Sequence, residues 1–205
     1  MGIGLWSIGC ADSAPPASTD QPLRRYTRMP NYLRLQGGGG TFFFTVALAD
    51  RSNRLLVDHV DLVRAAFAET KLALPFAIDA IVILPDHLHC IWTLPDGNQD
   101  VPSRWASIKA GVSRRLPRTE TLSRSRAARR ERGIWQRRFW EHVIEDDEDF
   151  RTHLDYIHYN PVKHGHARCA GDWPFSSFHR YVRSGVYPVD WADTAVAKQS
   201  FGEAV

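Results

Sequence analysis

The stretch that most constrains the fold runs from Phe76 to Leu94. Phe76 to Leu84 is an apolar run of strand length, and Pro85-Asp86 breaks it as a turn does. Beyond the turn the residues alternate. Leu88, Cys90, Trp92 and Leu94 fall on one face of a strand, and His87, His89, Ile91 and Thr93 on the other. Both imidazoles therefore lie side by side at the mouth of a hairpin, where histidines at i and i+2 can share one metal ion. A helix would point them apart. Taken alone, they also read as two half-exposed histidines at a strand start, since two ligands do not make a site.

Around the hairpin the chain alternates between strand and helix patterns. Gly37 to Gly40 is a four-glycine turn ahead of the strand Thr41 to Leu48 (TFFFTVAL). It opens a strand rather than a helix and lacks a Lys-Ser/Thr partner, which argues against a phosphate-binding loop. From Leu55 to Glu69, the residues Leu56, Val60, Val63 and Phe67 recur at helical spacing. A second helix opens near Ser103, with Trp105, Ile108, Val112 and Leu116 on its buried face. Ile134 to Ile144 (IWQRRFWEHVI) reads as an aromatic-rich strand with Gln136, Arg138, Trp140 and His142 on one face. This order predicts an α+β fold: a ferredoxin-like four-stranded antiparallel sheet with helices on one face, followed by a C-terminal tyrosine-bearing helix. Such a fold says nothing by itself of function.

At 205 residues the chain suits one domain with extensions. We expect a disordered extension over 1–22, a single domain over 23–190 and a tail over 191–205. No apolar run approaches the length of a membrane span. Cys10, Cys90 and Cys169 are odd in number and far apart, which suits a reducing cytosol rather than a disulfide scaffold. A net charge of +3 hides strong segregation: between Arg114 and Arg138 ten arginines stand against Glu120 and Glu131, a local charge of +8. That stretch reads as a mobile loop that a polyanion would order. The arm Arg24, Arg25, Tyr26, Arg28, Tyr32, Arg34 has a similar character, as a solvated tail or as an arm lying on phosphates.

A second constellation lies near the C-terminus. The acidic run Glu145 to Asp149 sits where a helix begins, favourable to its dipole, and Phe150, Leu154 and Ile157 form the core stripe that follows. Off that stripe, at spacings of three and four, are His153, Tyr156 and Asn160. Pro161 predicts that the helix ends or bends at Asn160. Two imidazoles and an amide oxygen could hold a divalent cation with positions open for a phosphate oxygen, and a tyrosine one turn away would lie near that phosphate. Tyrosine is a weak nucleophile with a pKa of about 10, a weakness that a metal on the scissile phosphate offsets. On spacing alone, Tyr156 could as well be a helix-end residue with its hydroxyl in water.

PDHLHCIWTLP, GIWQRRFWEH, HLDYIHYNPVKHG and DWPFSSFHRY, in that order, closely resemble the REP-associated tyrosine transposases, relatives of the IS200-type single-tyrosine HUH enzymes. The resemblance runs from about Arg24 to Trp191. It implies that His87 and His89 bind Mg²⁺ or Mn²⁺, with Asn160 as a further ligand. It also implies that Tyr156 attacks DNA, leaving a 5′-phosphotyrosine and a free 3′-OH. The expected partner is single-stranded or hairpin DNA from repetitive extragenic palindromes, met by Arg24, Arg25, Arg28, Arg34, Arg114, Arg115, Arg137, Arg138 and Lys163. The acting species is a monomer or a homodimer.

His153, one turn before Tyr156, is a candidate to accept or orient its proton, or simply an exposed helical histidine. His158 and His164 read as surface residues that at most touch phosphate. Trp173 to Tyr181 reads as an aromatic segment docking on the core. Two other classes fit the same residues. One is a metal-dependent phosphodiesterase in which water is the nucleophile, and the other is a non-catalytic hairpin-binding regulator.

Overall fold

The computed structural model describes residues 40–118, 124–129 and 131–191. The arm with Arg24, Arg25, Arg28 and Arg34, the 1–22 extension, Cys10 and nearly all of the 191–205 tail lie outside the described residues. Four strands, β1 (Thr41–Ala47), β2 (Ala77–Ile83), β3 (His87–Thr93) and β4 (Trp140–Val143), form one antiparallel sheet in the order β2-β3-β1-β4. Helices α1 (Leu55–Asp58) and α2 (Val60–Ala73) connect β1 to β2, and α3 (Val101–Arg115) leads from β3 towards β4. This is the split ferredoxin-like arrangement.

The period of two in TFFF builds both faces of the sheet from consecutive residues. Phe42 and Phe44 join Leu88, Cys90 and Trp92 in a core shared with Val63 and Phe67 of α2 and Trp105 and Ile108 of α3. Phe43 points the other way, with Ala80, Val82 and Ile91, into a second core closed by α5 (Asp147–Lys163) and α6 (Phe178–Arg183). The tyrosine-bearing helix thus covers the face that α2 and α3 leave open. Residues 175–177 lie along the outer edge of β2: Ile83 N–H donates to Phe175 O at 2.9 Å and Ser177 N–H to Ile81 O at 2.8 Å. The aromatic C-terminal segment therefore docks on the core, and it also covers an otherwise open strand edge.

Four expectations need correction. The helix over 55–69 is two, interrupted at His59; Leu56 N–H donates to Pro85 O at 3.0 Å, tethering the short first helix to the β2–β3 turn. The last strand is shorter than 134–144. Trp135 bridges Leu48 and Trp140 pairs with Thr45, so five steps oppose three and residues 137–139 leave the ladder as a bulge. The arginine-rich stretch contains a short helix, α4 (Arg124–Ala128), and Arg132 donates to Leu116 O at 2.8 Å, capping the end of α3. Finally, Pro161 does not end α5. The helix runs to Lys163 and stops at Gly165, whose φ of +69° supplies the left-handed terminus. Asp146 caps its start by accepting from the N–H groups of Glu148 and Asp149, each at 2.9 Å.

Candidate active site

Strand register builds the floor of the site. β1 and β3 place Ala47 opposite His87 and Thr45 opposite His89, on the face under α5. Both histidines are buried, His89 to 1% exposure, with ring centroids 5.0 Å apart. One nitrogen of each is held by the scaffold. His89 Nδ1 lies 2.9 Å from Thr45 Oγ1, and His87 Nδ1 lies 2.8 Å from Asp86 Oδ1. Arg51 pairs with the other oxygen of Asp86. Burial pushes the Asp86 carboxyl up, but hydrogen bonds from His87 and Arg51, with their charges, outweigh it and hold the group well below the usual carboxylate range. His89 is pushed well below the usual imidazole value, by burial first and then by the charges of His87, His164, Lys163 and Arg51. A neutral imidazole is the form that binds a metal.

Helix α5 supplies the opposite wall. The Tyr156 ring meets His89 edge-on at 5.1 Å, and His164 meets His87 at 5.1 Å. Asn160 lies four residues from each along the chain, so helical spacing puts it on the side of α5 that carries these two contacts. Its side chain is fully buried, and neither Oδ1 nor Nδ2 is hydrogen-bonded among the described residues. An amide orphaned in this way costs on the order of 1–3 kcal/mol per unpaired group, so a partner is expected there. An amide oxygen and two imidazoles suit a divalent cation, so His87, His89 and Asn160 fit such a group.

Tyr156 is buried, against Phe43 at 6.0 Å and edge-on to it. Lys163 Nζ donates to its hydroxyl at 3.2 Å and lies 4.6 Å from its ring centroid, two helical turns along α5. His153 is also buried rather than an exposed helical residue. Its ring packs on Phe43 at 4.6 Å, and its Nδ1 lies 2.8 Å from Asp149 Oδ1. His158, expected at the surface, is fully buried, 2.9 Å from Ser177 Oγ, and burial pushes it down to about 3. His164 is exposed, as expected, but lies against His87.

The cationic residues divide. Arg114 and Arg137 line a cavity of about 590 Å³ with Lys109, Arg118, Arg126 and Arg132, with Glu131 among the lining residues. Arg137 is paired with Glu131 at 2.9 Å. Arg115 turns instead to Glu69 on α2, at 2.6 Å, and Arg138 is exposed on the bulge before β4. Sequence reasoning missed Phe43, Thr45, Arg51 and the pairing role of Asp86. Of these, only Thr45 had a detectable signal, as an outward-alternating polar residue in TFFFTVAL.

No family model matches the chain. A REP-associated tyrosine transposase of Escherichia coli (strain K12) is 45% identical over 177 residues, covering 86% of this chain and 99% of that protein. A Haemophilus influenzae protein that carries the same family name is 47% identical over 164 residues, covering 80% of this chain and 93% of that protein. A solved REP-associated tyrosine transposase, bound to a REP hairpin, superposes with a TM-score of 0.69 at 45% identity, covering 86% of this chain and 99% of its own. With this identity spread over nearly the whole length of both relatives, the chain belongs to the REP-associated tyrosine transposases, DNA-nicking enzymes.

Proposed function

We propose that this protein nicks and rejoins one strand of a palindromic hairpin through a 5′-phosphotyrosine at Tyr156, with Mg²⁺ or Mn²⁺ held by His87, His89 and Asn160. The observation that carries the reading is the buried, unpaired amide of Asn160, on the side of α5 that carries the Tyr156–His89 and His164–His87 contacts. Such a cation would draw charge from the scissile phosphate and orient it. With Nδ1 of each histidine held by Thr45 or Asp86, Nε2 is the nitrogen assigned as ligand.

In the nicking step the Tyr156 Oη–phosphorus bond forms as the phosphorus–O3′ bond breaks. The phenol loses its proton, and the departing 3′ oxygen gains one to leave as a hydroxyl. Rejoining is the reverse, by attack of a 3′-OH on the phosphotyrosine. Lys163 holds the phenol by its hydroxyl and places a positive charge where the phosphotyrosine forms. His153 acts as an orienter through Phe43, whose ring touches His153, Tyr156 and His89. Hairpin affinity comes from the basin of Arg114 and Arg137, from Arg138, and from the arm of Arg24, Arg25, Arg28 and Arg34. Arg115, tied to Glu69, contributes least. The acting species is a monomer or a homodimer.

The test is cleavage of end-labelled hairpin DNA with Mn²⁺, comparing wild type with Tyr156→Phe on a denaturing gel. A slow-migrating adduct seen only with wild type and only with metal is expected. Cleavage that survives in Tyr156→Phe would assign the nucleophile to water. Tight binding without cleavage by either protein would make this a regulator.

A further inference from the structure

Beside the tyrosine site, on the far side of Phe43 from His89, the described residues hold a second convergent group of metal-ligating side chains. His142 on β4 and Asp149 and His153 in the first turns of α5 bring their ligand atoms within 4.8 Å of one another. His142 Nε2 lies 2.8 Å from Asp149 Oδ2, and His153 Nδ1 lies 2.8 Å from Asp149 Oδ1. We propose that these three residues bind a second divalent ion of the zinc class (Zn²⁺, Co²⁺ or Ni²⁺) that staples β4 to the start of the tyrosine-bearing helix.

The donor set argues for that class. Two imidazoles and one carboxylate, with a further position open, suit a borderline ion, whereas Mg²⁺ prefers oxygen ligands in octahedral array. At zinc–ligand bonds of about 2.0–2.1 Å, tetrahedral donor atoms sit roughly 3.3 Å apart. The two 2.8 Å separations run to different oxygens of Asp149, so a shared ion needs the carboxylate and rings to turn until one oxygen and both nitrogens, already within 4.8 Å of one another, face it together.

The surroundings hold the donors in place. The two imidazoles stack with centroids 4.6 Å apart and planes 20° apart, each nitrogen facing its own oxygen of Asp149. His153 Nδ1 also lies 2.9 Å from the main-chain O of Asp149, a contact it would give up to bind an ion. Trp140 stacks on His142 at 5.8 Å, Phe43 packs on His153 at 4.6 Å, and the Glu145 N–H donates to Asp149 Oδ2 at 3.0 Å. These are the outer contacts that orient ligands in built metal sites. Protonation is also suitable at neutral pH. Burial pushes Asp149 up, but the Glu145 N–H, the His142 hydrogen bond and the two histidine charges hold it below its usual value; His153 is pushed down, chiefly by burial. The exposed carboxylates of Glu145, Asp147 and Glu148 attract a cation, and His142, one-third exposed, leaves it a way in.

The consequence reaches the catalytic helix. His153 precedes Tyr156 by less than one turn, and Phe43 touches His153, Tyr156 and His89 together. An ion at this site would clamp the first turns of α5 against β4 and stabilise the folded state by mass action.

The experiment titrates untagged, metal-stripped full-length protein with Co²⁺, following visible d–d absorption, bound stoichiometry and melting temperature. The informative variant is His142→Phe, which keeps a ring in the stack but removes the donor nitrogen; the second is His87→Ala/His89→Ala. The expected result is that His142→Phe binds one equivalent fewer than wild type and loses the intense tetrahedral bands and the Co²⁺-induced rise in melting temperature. The double variant should keep the bands and the rise in melting temperature, losing only the equivalent held at the tyrosine site. Equal stoichiometry and spectra in wild type and His142→Phe, or loss of the bands in the double variant alone, would overturn the proposal and leave a purely hydrogen-bonded cluster. None of the three readouts depends on DNA cleavage, so failure here is distinct from failure of the tyrosine chemistry.

Discussion

The two faces of the sheet are made by the same strands and have opposite characters. Under α2 and α3 the surface is mainly aromatic: Trp92 stacks on Trp105 at 4.3 Å, with Phe44 and Phe76 against its ring. Under α5 the buried set includes His87, His89, His153, His158 and Asn160. A buried polar group is tolerated only with a partner, and both faces bury some: Arg104 Nε and Trp105 Nε1 lack one on the first among the described residues, but the imidazoles and the amide are gathered under α5, where the larger cost falls. One face holds the fold together, and the other uses that stability to keep reactive groups out of water.

Substitutions on the two faces should therefore fail in different ways. Trp92→Ala empties a fully buried indole and should lower stability by about 3–5 kcal/mol, read as a large drop in the denaturant midpoint. Tyr156→Phe should abolish the covalent adduct while leaving the midpoint nearly unchanged. If Tyr156→Phe unfolded the protein as Trp92→Ala does, the contrast between the faces would be lost.

Asn160→Leu sharpens the contrast, because it replaces an unpaired buried amide with an apolar side chain of similar size. The expected outcome is unchanged or higher thermal stability together with at least a hundredfold loss of metal-dependent cleavage. Lower stability in the metal-free protein would mean that the amide has a partner within the chain. Thr45→Val is milder. It removes the group that holds His89 Nδ1 and should weaken the cation about 10–100-fold, seen as a higher Mn²⁺ concentration for half-maximal cleavage.

How much of this could be read in advance follows from range. The facing of His87 and His89 depends only on the period of a strand, and Tyr156 and Asn160 only on helical spacing, so both were legible. Thr45 meets His89 across 44 residues through strand register, which no local pattern encodes. Pro161 predicts a local helix end, but α5 continues one turn further, and α6 with the 175–177 segment covers the helix; His158 is therefore buried where the local signal placed it outside. The bulge before β4 has the same origin. Alternation in IWQRRFWEHVI continues through 137–139, and only pairing with β1 shows two residues too many.

The smallest effect expected lies in the basic basin, at the edge of the first core where Trp135 lines it, and tests whether that region carries affinity alone. Lys109 lines it, donating to Gln136 O at 3.0 Å, and burial pushes its ammonium down to about 8 from 10.5. Below pH 8 the lysine is charged both free and bound. Between about 8 and 10.5 the free protein loses the proton, whereas a phosphate in the basin favours keeping it, so hairpin binding must take a proton up. Affinity should then fall as pH rises through 8, by at most about tenfold per pH unit. Stability should move the other way over the same window, because the unfolded chain binds more protons there than the folded one. Lys109→Arg keeps the charge at every accessible pH and should flatten the affinity profile without altering the yield of adduct at saturating DNA. A wild-type affinity that stays level from pH 7 to 9.5 would remove Lys109 from the DNA path and leave Arg114 and Arg137 to carry that surface.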